Sequence, residues 1–265
     1  MASFLRFAEE WPQLIALFLL LSYCIIYVSR RGLDRRIETL IAAVSLLIPG
    51  LIAAYAANRI VNVLRPDKLD LYIYRLDGLL QFQPSFVVGR FLHSMPAVFQ
   101  IALSVAYSLM PIAIIAIYWA SAWRYPRESS TVARALILNL ALSAPCYFLV
   151  PVAGPFYAFP GFPAAPITGP PHPIRLDALP NGVPSIHFST ALLCAWYGRR
   201  FRIGRWLGLL FLLATALATL GFGEHYLFDL IMAVPYTVGV VRLAGFIRAG
   251  DSRSIAAKIA PITAP

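Results

Sequence analysis

Long apolar runs, separated by short polar stretches, make up most of this chain. The seven that stand out lie at about 12–28, 37–57, 97–120, 132–150, 185–198, 206–221 and 226–247. A helix needs about 20 apolar residues to cross a hydrocarbon core of about 30 Å. The pattern therefore predicts an all-α fold, a polytopic transmembrane helix bundle with about six or seven spans and short interfacial helices.

Two of the stretches between these runs have a character of their own. The segment 58–96 mixes charged residues with aromatic and aliphatic ones, a pattern typical of short amphipathic helices in a membrane interface. The segment 151–184 contains ten prolines and four glycines, which predicts an irregular loop. We divide the chain into N-terminal transmembrane helices at 1–57, an interfacial and extracytoplasmic segment at 58–96, a transmembrane core at 97–247 and a cytoplasmic tail at 248–265.

Composition supports a membrane protein, because 60% of the residues are hydrophobic and 13% are charged. The net charge of +10 does not indicate a nucleic-acid partner, since the basic residues lie in short loops between apolar runs. Arginine-rich loops at 30–36, 124–134 and 199–205 follow the first, third and fifth runs. The positive-inside rule places these loops in the cytoplasm and the alternate loops outside. We expect an integral protein of a bacterial inner membrane.

Two of the histidines on the extracytoplasmic side in this topology have specific surroundings, although they are far apart in the chain. In Pro184-Ser185-Ile186-His187 the proline favours a helix start and Ser185 suits the N-cap position. Backbone N–H groups at such a helix end point toward an anion, and a phosphate fits there. His93 and His172 have no motif around them and are interpreted as interfacial polar residues.

The second histidine lies in Gly223-Glu224-His225-Tyr226-Leu227-Phe228-Asp229. A separation of four places His225 and Asp229 on one face of a helix, where the carboxylate can accept a proton from one ring nitrogen. The other nitrogen is then free to act as a nucleophile. An aspartate inside an apolar run is costly without such a partner. Tyr226 is a candidate phosphate contact, with an interfacial belt tyrosine as the alternative.

The order and spacing of P-S-I-H and H-Y-x-x-D resemble the second and third motifs of the type 2 phosphatidic acid phosphatase superfamily. Asp70–Arg90 and Pro151–Tyr157 also resemble its inositol phosphorylceramide synthase-like branch. The resemblance implies that His225 attacks phosphorus to form a phosphohistidine, Asp229 orients it, and His187 protonates the leaving alcohol. It implies that Ser185 helps to hold the phosphate, and it requires no metal and no other cofactor.

The sequence departs from the family pattern in its basic residues. The first motif, K-x6-R-P, is absent from the loop before Pro184, and Thr219 stands where an arginine usually precedes the third-motif histidine. Positive charge for the transition state must then come from elsewhere. Arg175, in the same loop, is the natural candidate for phosphate binding, and Arg65 is a weaker one.

These motifs predict a metal-independent lipid phosphatase or phosphotransferase. Its partners would be membrane lipids bearing phosphate, with water or a lipid alcohol as acceptor, and the sequence does not choose between hydrolysis and transfer. A transporter or a haem-binding membrane protein is the alternative from a different class, with the histidines as proton relay or axial ligands. A structural hydrogen-bond cluster is the remaining alternative for the four motif residues. A membrane protease is disfavoured because H-E-x-x-H and G-x-S-x-G do not occur.

Overall fold

The computed structural model describes residues 35–164, 166 and 169–259 and is mostly helical. The predicted run at 12–28 lies outside this part of the chain. The longer helices are α1 (Arg35–Leu64), α4 (Ala97–Ser108), α5 (Met110–Arg124), α6 (Pro126–Ala141), α9 (Ile186–Gly198), α10 (Arg202–Gly221) and α11 (Leu227–Ile259). The shorter elements are β1 (Asp67–Lys68), α2 (Asp70–Asp77), α3 (Pro84–Ser94), α7 (Ser143–Leu149), α8 (Pro155–Ala158) and β2 (Ile174–Arg175), with a 3₁₀ turn at Gly78–Leu80 between α2 and α3.

The six predicted apolar runs that lie within the described residues fall on helices, which confirms the all-α fold with apolar helices. Within the described residues, Glu128–Leu149, Arg202–Gly221 and Leu227–Ile247 are long and apolar enough to cross a membrane. The pair α4 and α5 adds a fourth crossing if it is one span bent by 49°. This bend lies at the run predicted as 97–120, where Pro111, which lacks an N–H group, stands at the start of α5.

The run predicted at 185–198 forms a helix of 13 residues. Such a helix rises about 20 Å, which is less than the roughly 30 Å of a hydrocarbon core. Its inner part packs in the main apolar core, where Ala191, Leu193 and Tyr197 meet side chains of α1, α5, α6 and α11. Helix α9 is therefore a buried central helix, and its length alone does not qualify it as a full span.

The segment 58–96 contains the short helices that its sequence predicts, although α1 extends into it as far as Leu64. Helix α1 can continue this far because no glycine or proline occurs between residue 58 and Pro66. It ends there because the residue before a proline disfavours the helical conformation. Helices α2 and α3 each bury one side and expose the other. Their buried residues include Leu71, Ile73, Tyr74, Phe86 and Leu92, and their exposed apolar residues include Tyr72, Leu76, Val87 and Phe91.

The loop 151–184 is less irregular than its prolines and glycines suggest. It contains the four-residue helix α8 and strand β2, which pairs antiparallel with β1. In this ladder Asp67 is opposite Arg175 and Lys68 is opposite Ile174. The ladder joins segments more than 100 residues apart, so local propensity gave no sign of it. Its effect is to fix the proline-rich loop against the chain that enters α2.

The two arginine-rich loops within the described residues lie at one end of the bundle. Arg200, between α9 and α10, forms an ion pair with Glu128 near the start of α6. The rings of Tyr125 and Phe201 are 5.7 Å apart at the same place. His187 begins α9 and His225 precedes α11, so both lie at the other end. The separation of histidines from these arginine loops is the arrangement that the predicted topology requires.

Candidate active site

His225 and Asp229 form the pair that their spacing predicts. Nδ1 of His225 lies 3.2 Å from Oδ2 of Asp229, and both side chains are almost completely buried. When Nδ1 carries the ring proton, it donates that proton to the carboxylate and leaves the Nε2 lone pair free. Nε2 is buried and makes no well-aligned hydrogen bond with the described residues, although the backbone of Gly182 lies close enough to interact with the ring. This arrangement suits a nucleophilic imidazole whose cationic form is stabilised by a carboxylate.

Asp229 also shapes the start of the helix on which it lies. It is the third residue of α11, and its Oδ2 accepts a hydrogen bond from the backbone N–H of Tyr226 at 2.9 Å. A side chain at this position that reaches back to the N-cap residue is half of a capping box. The same oxygen therefore fixes both the imidazole and the backbone next to it.

Asp77, at the end of α2, accepts hydrogen bonds from the next two N–H groups of α11. Its oxygens lie 2.8 Å from the nitrogen of Leu227 and 3.0 Å from that of Phe228. The first N–H groups of a helix have no partner inside the helix, so an outside acceptor satisfies them. Burial is the main cause that raises the Asp77 pKa to about 6, against the lowering effect of these two N–H groups.

Asp70, at the start of α2, joins Tyr226 to the proline-rich loop. Its carboxylate accepts hydrogen bonds from the N–H groups of Ala153 and Gly154, at 3.0 and 2.8 Å, and from the Tyr226 hydroxyl at 3.1 Å. Burial raises the pKa of Asp70 to about 6, and these three donors oppose the rise. The contact of Tyr226 with phosphate stays a prediction. In the structure, the Tyr226 hydroxyl donates its hydrogen bond to Asp70.

Gly154 lies where the proline-rich loop meets the loop that precedes His225. Its φ is +113°, and a Cβ atom there would lie 2.3 Å from the carbonyl oxygen of Glu224. Glycine is therefore required by both the backbone conformation and the close approach. Phe156 donates its backbone N–H to the carbonyl of Gly223 at 2.8 Å. Gly223, two residues before His225, is thus held by a backbone hydrogen bond as well.

His187 lies in a different environment at the start of α9. Ser185 is the N-cap, as predicted, and its hydroxyl accepts the N–H of Phe188 at 3.3 Å. A hydroxyl that accepts one hydrogen bond can still donate one, so the cap is compatible with the predicted contact to phosphate. The imidazole of His187 stacks on Tyr107 of α4, with ring centroids 4.5 Å apart and planes at 26°.

The two motifs meet directly. The backbone N–H of Ser185 donates to the carbonyl of Asp229 at 3.2 Å, which joins the N-cap of α9 to the first turn of α11. Val183 and Tyr226 pack in the same apolar cluster. His187 and His225 are near enough for electrostatic interaction. The structure thus brings together four predicted residues, His187, Ser185, His225 and Asp229.

Buried polar side chains below this junction hold the helices together. Asn139 of α6 donates to the hydroxyl of Thr190 at 2.9 Å and accepts a hydrogen bond from Ser189, both on α9. Ser189 also shares a hydrogen bond of 2.8 Å with Thr237 of α11. Ser189 is one turn from Ser185, and Thr237 is two turns from Asp229. Hydrogen bonds across membrane helices contribute about 0.6 kcal/mol on average, so this cluster fixes the helices that carry the site.

Neither predicted cation is joined to the histidines. Arg175 is exposed on β2, and the guanidinium of Arg65 lies over the ring of Phe148 at 5.3 Å. Within the described residues, no hydrogen bond or ion pair connects either arginine with His187 or His225. Phosphate binding by Arg175 therefore stays a prediction.

Thr219, at the position of the missing family arginine, is buried and has a backbone role. Its carbonyl accepts the N–H of His225 at 3.1 Å, while its hydroxyl donates to the carbonyl of Thr215 in its own helix. Lys68, just before α2, is a buried cation. Its ammonium donates to Asn62 and to the carbonyl of Arg65, at 2.8 and 2.7 Å, and burial lowers its pKa. Lys68 thus caps the end of α1.

A comparison with family models identifies the family of the chain. A model of the PAP2 superfamily matches residues 71–243, which contain both motifs in the order described above. The chain belongs to the PAP2 superfamily. PAP2 membership supports a phosphatase-type activity on lipids and an integral membrane location. Neither the curated proteins nor the solved structures include a significant match to the chain.

Sequence reasoning missed the contacts that support the PAP2 motifs from outside. Asp77 and Ser85 fall in the stretch Asp70–Arg90 that resembles a synthase branch, and no sequence pattern marks Tyr107. A signal was present for Asp70 and Asp77, because acidic residues on the buried side of an amphipathic helix need partners. Their partners lie more than 80 residues away, and no local pattern identifies them.

Proposed function

We propose that this PAP2 protein is a membrane phosphatase or phosphotransferase that acts on lipids through a phosphohistidine at His225. The observation that carries the proposal is the His225–Asp229 pair, with Nδ1 directed at the carboxylate and Nε2 free of a well-aligned partner. Membership of the PAP2 superfamily supports the phosphatase-type chemistry and the lipid substrate.

The first half-reaction breaks the bond between phosphorus and the lipid alcohol oxygen. Nε2 of His225 donates its electron pair to phosphorus, and Asp229 stabilises the imidazolium that forms. The departing oxygen takes the bonding pair and a proton from His187, which acts as a general acid. The N-terminal end of α9 and the Ser185 hydroxyl at its N-cap are suited to the phosphate oxygens.

The second half-reaction regenerates the imidazole. His187, now neutral, accepts a proton from an incoming hydroxyl, whose oxygen attacks phosphorus while the P–N bond breaks and its electron pair returns to His225. Water as acceptor gives hydrolysis, and a lipid hydroxyl gives transfer. Transfer draws support from Asp70, Asp77 and Ser85, which lie in the stretch that resembles the synthase-like branch and contact the loop of His225.

We also propose that the site faces the extracytoplasmic side of a bacterial inner membrane. The support is the distribution of arginines, since the loops that carry Arg124 and Arg200 lie at the opposite end of the bundle from both histidines. A lipid substrate would then reach the histidines from the outer leaflet.

Labelled lipids test the proposal and separate its two forms. Purified protein is incubated with phosphate-labelled phosphatidic acid or phospholipid, with and without ceramide or diacylglycerol. We expect label on the protein during turnover and its later release as a phosphate-containing product. Label in a water-soluble product indicates hydrolysis, and label in a new lipid that depends on the added alcohol indicates transfer. Substrate turnover with no label on the quenched protein would contradict the phosphohistidine.

A further inference from the structure

The loop that carries His225 is held by side chains from a distant part of the chain. Ser85 donates its hydroxyl proton to the carbonyl of His225 at 2.9 Å, and Asp70 accepts from the Tyr226 hydroxyl. Asp77 accepts the N–H groups of Leu227 and Phe228. Each residue from 225 to 228 is therefore fixed by the stretch 70–85. None of these three side chains enters the phosphoryl-transfer scheme above.

Among the three, Asp77 has the most direct control over the nucleophile. Its side chain is 4% exposed, and its two oxygens accept the first two N–H groups of α11. Asp229 follows immediately as the third residue of that helix, and His225 lies two residues before its start. A shift of the first turn would move the Asp229 carboxylate and the imidazole relative to each other.

The remaining supports of this turn act on other atoms. Asp229 accepts the N–H of Tyr226, and Thr219 accepts the N–H of His225. Neither Asp229 nor Thr219 can replace Asp77, because the N–H groups of Leu227 and Phe228 point to the two oxygens of Asp77. Asparagine at position 77 would offer one acceptor oxygen and place an NH₂ group against the second N–H. A buried N–H without a partner is costly, and the first turn of α11 can avoid that cost by shifting.

We propose that Asp77 is a positioning residue for phosphoryl transfer, which sets the geometry of the His225–Asp229 pair by fixing the first turn of α11. The inference rests on the proposed phosphohistidine function and names a residue outside its two motifs. Misplacement of a reacting group by about 1 Å can cost about 100-fold in rate, so a defect in this turn should be visible in the chemical step.

The test uses the full chain in detergent and an activated aryl phosphate, whose burst reports formation of the phosphoenzyme. The burst amplitude counts correctly folded sites, and the burst rate constant reports how well each site performs the attack. For Asp77→Asn we expect a burst rate constant lower by about 10-fold or more, with an amplitude and an apparent substrate affinity close to those of the parent. Asp77→Ala should lower the rate constant at least as far.

The matched control is Leu76→Ala, which changes an exposed neighbour on the same helix. It should leave the burst rate constant within about twofold of the parent. A double-mutant cycle with Asp229→Asn adds the specific readout, because two changes that disturb one geometry should be less than additive. Full additivity would indicate that Asp77 acts independently of the pair.

The outcomes separate this inference from the function on which it rests. A normal rate constant with a reduced amplitude in Asp77→Asn would overturn the positioning role and leave a purely structural one. If the parent gives no burst and no phosphoenzyme, the phosphohistidine proposal itself fails. If the parent gives a burst and Asp77→Asn matches it in rate and amplitude, the positioning role alone is wrong.

Discussion

The two halves of the site differ in what holds them. His187 stands at a helix start that its own sequence caps, through Ser185, and its ring rests on Tyr107. His225 lies in a loop whose backbone and following turn are held by Ser85 and Asp77. The backbone that carries the proposed acid is thus capped by its own motif, whereas the backbone that carries the proposed nucleophile is fixed by side chains about 140 to 150 positions earlier.

This difference fits the roles proposed for the two rings. A nucleophile must meet phosphorus along one line, so its position and its tautomer both matter. A general acid needs to be within hydrogen-bond reach of the leaving oxygen, which tolerates more freedom. Greater external support on the His225 side is therefore expected if its nitrogen forms the bond to phosphorus.

Removal of each imidazole ring, at His225 and at His187, should have the largest effect and tests this comparison most directly. His225→Ala should abolish the covalent phosphoenzyme, because the attacking atom is lost. His187→Ala should lose roughly 10²- to 10⁴-fold with a poor leaving group and recover much of this with an activated ester. The measurements are the label bound to protein after quenching in alkaline detergent, because phosphohistidine hydrolyses in acid, and turnover of the two ester classes. Label trapped on His225→Ala, or equal rescue of both variants, would show that the roles are assigned wrongly.

Loss of the aromatic ring that supports His187 should have a smaller effect on turnover. Tyr107→Leu removes the ring that stacks on the imidazole but keeps an apolar side chain. We expect a fall of about 10-fold in turnover of a poor leaving group and little change with an activated ester, since only acid catalysis is disturbed. Tyr72→Leu, at an exposed position of α2, is a control. Equal losses with both ester classes would place Tyr107 on the nucleophile side instead.

The smallest expected effect is on the pH dependence of stability, through the Asp70 carboxylate that contacts Tyr226. The Asp70 pKa is raised to about 6 by burial, so the stability that it contributes is present in acid and lost as the pH rises through about 6. Asp70→Asn should flatten the dependence of the unfolding midpoint on pH between about 4 and 7. Thermal unfolding in detergent measures this, with the exposed Asp67→Asn as the control. A steeper dependence in Asp70→Asn would contradict the sign.

The sequence by itself determined the helical membrane fold and the two histidine motifs. These depend on short-range regularities: the length of apolar runs, a spacing of four in His225 and Asp229, and a serine at a helix start. Each can be evaluated within a few residues because helix geometry repeats every 3.6 residues. The N-cap at Ser185 and the contact between His225 and Asp229 were predictable for this reason.

Tertiary structure alone decided what surrounds these motifs. The ladder of Lys68 with Ile174, the stacking of Tyr107 on His187, and the caps provided by Asp77 all join residues far apart in the chain. The sequence indicates that a carboxylate will need hydrogen-bond donors if it is buried, but it does not identify those donors. The partner is chosen by how the helices pack, because burial leaves each polar group a few neighbours in space with no fixed relation to sequence distance.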